Sequence, residues 1–189
     1  MHLAPSFTPR AVLRGYFHAK DENRPALLDE VFTADAELRV VNNAIDMGFP
    51  AETQGREGIA DVLVRSFAQT YENVYSFYLA SPPECALRFS CPWLVGMTEK
   101  ESRCVRVGCG RYDWSFEEEA PFLARGLVLT IEAMQVLPPD TFAPVFGWLR
   151  TLQYPWSSCV EAAERVPSVA GLEPVLRFLR APGVELERD

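Results

Sequence analysis

Residues 87–97 read LRFSCPWLVGM and residues 103–116 read RCVRVGCGRYDWSF, with the polar turn TEKES at 98–102 between them. A third run, ARGLVLTIEAMQVL at 124–137, follows an acidic turn and stops at Pro138-Pro139. Long runs rich in β-branched and aromatic residues, bounded by turn residues, read as antiparallel strands joined in sequence. Gly108 and Gly110 lie inside the second run and are places for a bulge or bend. A sheet bent there curls into a cone that can enclose a cavity.

The segments before these strands read as helices and one strand. Val12, Leu13, Tyr16 and Phe17 form one helical stripe over residues 9–20, after a Thr8-Pro9 start suited to an N-cap. A short helix is predicted over 25–32. Leu38 and Val40 alternate with Glu37 and Arg39, which is strand periodicity over 36–42. Residues 43–55 read as a loop, 56–70 as a helix with Ile59, Val62, Leu63, Ser66 and Phe67 inward, and 74–80 as a strand. The fold class is therefore α+β: a strongly bent, mainly antiparallel sheet cupping three N-terminal helices. The cone spans residues 1–138. Residues 139–189 form a helical extension with two apolar stripes, expected to pack on the cone's mouth or on its sheet.

The length of 189 residues suits one domain with an elaborated end. Hydrophobic residues make up 48% and charged residues 23%, which excludes extensive disorder. No apolar run approaches the roughly 18 residues of a membrane span. The net charge of −8, with dispersed basic residues, argues against nucleic acid and anionic membrane surfaces as partners. Five cysteines without C-x-x-C spacing and without a visible signal peptide point to reduced thiols and a cytoplasmic location. Two histidines, His2 and His18, leave few ligands for a zinc site. No metal and no cofactor is expected. No phosphate-cradling loop or nucleophile elbow occurs.

The run Tyr16-Phe-His-Ala-Lys-Asp21, then Leu27-Leu-Asp-Glu-Val-Phe32, then Asp35-Ala-Glu-Leu38, resembles the opening of the nuclear transport factor 2-like superfamily. It is most similar to the SnoaL-like, polyketide cyclase-like branch. Gly55-Arg-Glu-Gly-Ile59 and Arg125-Gly-Leu127 are also similar. The resemblance covers about residues 8–137 and implies the cone fold. It also implies a role for Tyr16, because ketosteroid isomerase has a tyrosine on its first helix that donates a hydrogen bond to an oxyanion. The base aspartate of that enzyme would fall at Val40, which cannot take a proton. Steroid isomerisation is thus not supported.

Candidate site residues follow from pairing the hairpin. Setting Met97 opposite Arg103 puts Trp93 opposite Val107 and Cys91 opposite Cys109, all on the concave face. Arg111 and Asp113 then point inward, Asp113 as an acid/base and Arg111 to orient a carbonyl. A bulge at Gly108 or Gly110 would instead turn Tyr112, Trp114 and Phe116 inward. Asn42, inward on its strand, either bonds a ligand at the mouth or caps the turn beside Asn43. Asp46 is a weaker acid candidate, and Glu132 sits either in a pocket or at the rim of an interface on the convex face. His18 is about 200° round the helix from Tyr16 and faces water. Trp148 or Trp156 would contact ligand if the extension closes the mouth. Tyr16 and Asp113 are the catalytic candidates, and Asn42, Arg111, Trp93 and Trp148 the ligand-binding ones.

Three functions fit this pattern. One is a cofactor-free isomerase, cyclase or dehydratase that moves a proton on a small apolar or carbonyl-bearing molecule. The second is a non-catalytic binder of such a molecule, and the third an interaction module. The last strand is apolar on both faces, which leads to the expectation of a homodimer through the convex face, or of the extension covering that face.

Overall fold

The computed structural model describes residues 8–44, 48–84 and 86–181. Helix α1, Pro9–Asp21, starts where Thr8 Oγ1 accepts from the Ala11 amide. It buries Val12, Leu13, Tyr16 and Phe17. A 3-10 turn, Pro25–Glu30, leads into strand β1, Phe32–Asn42. The short strand β2, Glu52–Gln54, pairs antiparallel with β1 in a stretch expected to be loop. One helical segment then runs from Arg56 to Thr70. Its ends are α-helical, α2 at Arg56–Ala60 and α3 at Phe67–Thr70, and its middle turn, Asp61–Ser66, is π-helical. The wider turn inserts one residue, so Val64 is buried and Ser66 is exposed, contrary to the simple stripe.

Strands β3 (Tyr71–Tyr78), β4 (Arg88–Glu99), β5 (Val105–Phe116) and β6 (Ala124–Leu137) complete a six-stranded sheet of order β2-β1-β6-β5-β4-β3. All neighbours are antiparallel except β1 with β6. This is the α+β layout read from the sequence.

The β4–β5 register differs from the expected one. Cys91 faces Tyr112, Trp93 faces Gly110, and Leu94 faces Cys109. The turn is closed by the Glu99 amide on the Cys104 carbonyl, and Arg103 adopts φ 61° within it. The shift against the Met97–Arg103 pairing is three residues. An odd shift exchanges the faces of one strand relative to the other. Tyr112, Trp114 and Phe116 therefore join Trp93, Val95 and Met97 in the concave core. Val105, Val107 and Cys109 lie on the convex face. Cys91 and Cys109 are free thiols, but they are not cross-strand neighbours.

The bend lies opposite the glycines rather than within their own strand. β5 pairs Cys109 with Ala133 but Gly110 with Ile131, so Glu132 is an extra residue in β6. The bulge reverses the facing of β6: Leu127, Leu129 and Ile131 point into the cone, and so does Met134 beyond it. Gly110 is required by this crossing. A Cβ there would stand 2.0 Å from the Thr130 carbonyl oxygen and 2.9 Å from the Trp93 ring. Gly110→Ala is expected to cost about 1–3 kcal/mol by overpacking, read from urea unfolding; an unchanged midpoint would mean that the strands can part there without cost.

The extension supplies α4 (Phe142–Leu149), α5 (Cys159–Glu164) and α6 (Glu173–Leu179). Their apolar residues, Val145, Phe146, Leu149, Leu172, Val175 and Leu179 among them, pack on Phe77, Leu94, Val105, Val107 and Leu137 of the convex face. Leu149 sits over Gly96, where a Cβ would come within 2.1 Å of its Cδ1. The extension, not a second subunit, covers this part of the sheet. That removes the reason for expecting a homodimer here. No helix among the described residues is long and apolar enough to cross a membrane.

Candidate functional site

The concave face of the sheet and the helices enclose a cone packed with aromatic rings. Tyr16 lies edge-on to Tyr112 and Trp114, with ring centroids 6.0 and 5.1 Å away. Phe17 stacks on Tyr78 at 3.9 Å, and Tyr78 stacks on Trp156 at 4.8 Å. What remains inside is a cavity of about 40 Å³ bounded by Tyr16, Lys20, Phe67, Trp93, Tyr112 and Met134, with other apolar side chains. That is room for on the order of two or three waters. Just outside, a surface pocket of about 370 Å³ shares Phe49 and Phe67 with it.

Four of the lining residues carry polar groups: Tyr16, Trp93, Lys20 and Tyr112. The Tyr16 hydroxyl and the Trp93 indole N–H are buried and have no hydrogen-bond partner among the described residues. Such orphans are rare in folded proteins, because each costs roughly 1–3 kcal/mol. Burial pushes the Tyr16 phenol well above its ordinary value; the Tyr112 hydroxyl tempers this rise and the Asp21 carboxylate adds to it. Tyr16 therefore keeps its proton, and its hydroxyl meets no acceptor in good hydrogen-bonding geometry among the described residues, with Tyr112 as its polar neighbour.

The third group is Lys20, whose side chain is 7% exposed. Its Nζ donates to Asp21 Oδ1 at 2.5 Å and to Ser76 Oγ at 2.8 Å. The ammonium lies 5.0 Å from the Phe67 ring centroid and 5.7 Å from that of Phe17. Asp21 also accepts from the Ser76 amide and hydroxyl at 3.2 and 2.9 Å. Burial pushes the Asp21 carboxyl above its ordinary value, against the pull of Lys20 and Ser76. The pair carries no net charge.

Of the residues singled out in the sequence, Tyr16 and Trp93 come together in the cavity. Asp113 and Arg111 do not: the register shift places them on the convex face, where Ser90 Oγ donates a short bond to Asp113. Asp113 borders a separate polar concavity there with Arg39 and Arg88. Trp148 is also outside the cavity. It is buried in the convex-face cluster, and its Nε1 donates to the Ala162 carbonyl at 3.1 Å. Asn42 is exposed and its Oδ1 caps the Ala44 amide at 3.1 Å, the turn-capping alternative. Glu132 accepts from Asn43 at the bulge. Asp46 lies outside the described residues. His18 pairs with Glu22 at the surface, as expected.

Lys20, Asp21 and Ser76 were missed by sequence reasoning, although a signal existed. Lys20 is four residues after Tyr16, so the two share one helix face. Asp21 sits at the helix C-terminus, where the dipole disfavours an acid.

No family model matches the sequence, and no curated protein matches it. Solved structures do match in shape. A nuclear transport factor 2-like superfamily protein from Salmonella enterica serovar Typhimurium superposes with a TM-score of 0.51 at 12% identity, covering 63% of this chain and 84% of its own. A ketosteroid isomerase-like protein from Erwinia carotovora atroseptica gives 0.50 at 14%, covering 66% and 93%. The chain has the nuclear transport factor 2-like fold. A hexachlorocyclohexane dehydrochlorinase, LinA-type3, from Novosphingobium barchaimii also shares that fold, at TM-score 0.50 and 15% identity over 67% of this chain and 85% of its own. About a third of this chain lies outside each match. None of the three is described as SnoaL-like, so the comparisons support the fold and not that branch.

One consequence of the orphaned donor is measurable without ligand. Tyr16→Phe removes a buried hydroxyl with no partner in good hydrogen-bonding geometry, so it is expected to leave stability unchanged or raise it by about 1 kcal/mol. Tyr78→Phe removes a bond to the Leu13 carbonyl at 2.9 Å and is expected to lower stability by about 1 kcal/mol. Equal losses in urea for both would mean that the Tyr16 hydroxyl is satisfied.

Proposed function

We propose that the protein binds a small, neutral, carbonyl-bearing molecule in the cone and holds it without converting it to a released product. The observation that carries this reading is that two residues lining one small cavity, Tyr16 and Trp93, each carry a buried donor with no partner in hydrogen-bonding geometry among the described residues. A carbonyl oxygen that reached either donor would satisfy it. Because Asp21 neutralises Lys20, a neutral acceptor suits the cavity better than a carboxylate. The size of the cavity favours a ligand of a few heavy atoms.

An isomerase, cyclase or dehydratase would need an acid/base on the cavity wall. Among the described residues that line it, none is a carboxylate or histidine. The nearest carboxylate in the hydrogen-bond network, Asp21, stands behind Lys20. Binding is therefore the reading the geometry supports best, and the fold by itself does not choose between them.

Titration with acetone, followed by tryptophan fluorescence, tests it. A saturable change is expected, lost in Trp93→Phe and about fivefold weaker in affinity in Tyr16→Phe, as for one hydrogen bond of about 1 kcal/mol. Acetate binding more tightly than acetone would overturn the neutral-ligand reading. No saturable change with either would overturn binding in the cone.

A further inference from the structure

Of the 18 basic Lys and Arg residues only two are lysines, Lys20 and Lys100. Lys100 lies in the β4–β5 turn and donates to the Ala68 carbonyl. Lys20 is the one buried in the cone, on the cavity wall. Stability alone explains it poorly. A buried ion pair recovers little more than the desolvation of its two charges, and apolar residues of similar volume often do as well or better. An arginine, the residue at 16 of the 18 basic positions, could fork between Asp21 and Ser76. What arginine cannot do is act as an amine nucleophile, whereas a buried lysine beside a proton acceptor can.

We propose that Lys20 condenses reversibly with the carbonyl group of the bound molecule to form an iminium, so that the ligand is an aldehyde or ketone held covalently. The inference rests on the binding reading above and adds a bond to it. The chemistry balances within the site. The Lys20 ammonium gives one proton to Asp21, and the free amine attacks the carbonyl carbon. The C–N bond forms as the π pair moves to oxygen, where the Tyr16 hydroxyl donates a hydrogen bond. A proton shifts from nitrogen to that oxygen, giving a neutral carbinolamine. Asp21 returns its proton to the hydroxyl, which leaves as water while the nitrogen lone pair closes the C=N bond. Nothing is oxidised or reduced. The product iminium has the charge of the original ammonium, so its pairing with Asp21 survives the reaction. Three features of the site assist these steps. Asp21 touches the nitrogen at 2.5 Å, and burial raises its affinity for a proton. Ser76 holds both partners in place. Phe17 and Phe67 keep bulk water from the amine, which favours dehydration.

The test uses the full chain, propanal and sodium cyanoborohydride, which reduces an iminium to a stable secondary amine. Peptide mass spectrometry then reads the extent of propylation at Lys20, at Lys100 and at the terminal amine. In the native protein Lys20 is expected to be modified at least tenfold faster than Lys100. In strong urea the two should react alike. Lys20→Arg keeps the cation, and should abolish the modification at residue 20 while leaving that at Lys100 unchanged. The main readout is on the unmutated protein, so it holds even if the variant folds poorly. Slower modification of Lys20 than of Lys100 in the native protein would overturn the iminium. If acetone still changed the Trp93 fluorescence in that case, non-covalent binding would stand by itself. If it did not, both readings would fall together.

Discussion

Removal of residues 139–189 is expected to leave a chain that no longer folds cooperatively. At least eight large apolar side chains of the extension are buried: Val145, Phe146, Trp148, Leu149, Leu152, Leu172, Val175 and Leu179. Each contributes about 1.5–3 kcal/mol on burial, before chain entropy is subtracted. The partners left behind count as well. Phe77, Leu94, Val105, Val107 and Leu137 would become an apolar patch on an open sheet, which invites association. Against a typical total stability of about 5–15 kcal/mol, a loss on this scale leaves no margin. The truncated chain should show no cooperative thermal transition and should aggregate or bind a hydrophobic dye. A cooperative transition at the full-length temperature would mean that the convex face is stable without the extension. A smaller version isolates the packing: Phe146→Ala in the full chain should cost about 3–5 kcal/mol in urea.

The elements of the fold are legible because their signals are local. Thr8 and Pro9 announce the first helix, and the β6 run from Ala124 to Leu137 matches the strand end to end. The pairing of elements is less legible. The β4–β5 register hangs on whether the turn holds four or five residues, and the apolar residues on both faces of the hairpin accept either. Trp93 and Cys91 face the cone in either register; Tyr112 and Trp114 join them in one, Val107 and Cys109 in the other. Only the extension, which needs an apolar convex face, makes the second set apolar for a reason. The long-range partner decides the parity, and short-range periodicity cannot see it.

The candidate site divides along the same line. Tyr16 depends on a helical stripe alone, and the structure buries it inside the cone. Asp113 and Arg111 depend on the register and end on the wrong face. Trp148 depends on where the extension docks, which no local pattern states. Lys20 was within reach of periodicity, since Tyr16 and Lys20 are one turn apart. A lysine reads as surface by composition, and only its bonds to Asp21 and Ser76 overrule that.

The second large effect is expected at Asp21. Its carboxylate is 6% exposed and holds Lys20 Nζ at 2.5 Å, together with the amide and hydroxyl of Ser76. Asp21→Ala leaves the Lys20 ammonium in an aromatic pocket without a counter-charge. Breaking a buried pair in this way costs about 3–5 kcal/mol, far more than the pair itself contributes, because the remaining charge is no longer compensated. Lys20→Met in the same background removes that stranded charge. The double variant should therefore be more stable than Asp21→Ala alone, so the two substitutions are strongly non-additive. Urea unfolding of the wild type, both single variants and the double variant measures the coupling directly. Additive losses, or a cost below about 1 kcal/mol for Asp21→Ala, would mean that water reaches the pair and screens it. That result would also remove the dry environment on which iminium formation at Lys20 depends, so the stability cycle and the trapping experiment test one geometry by two independent measurements.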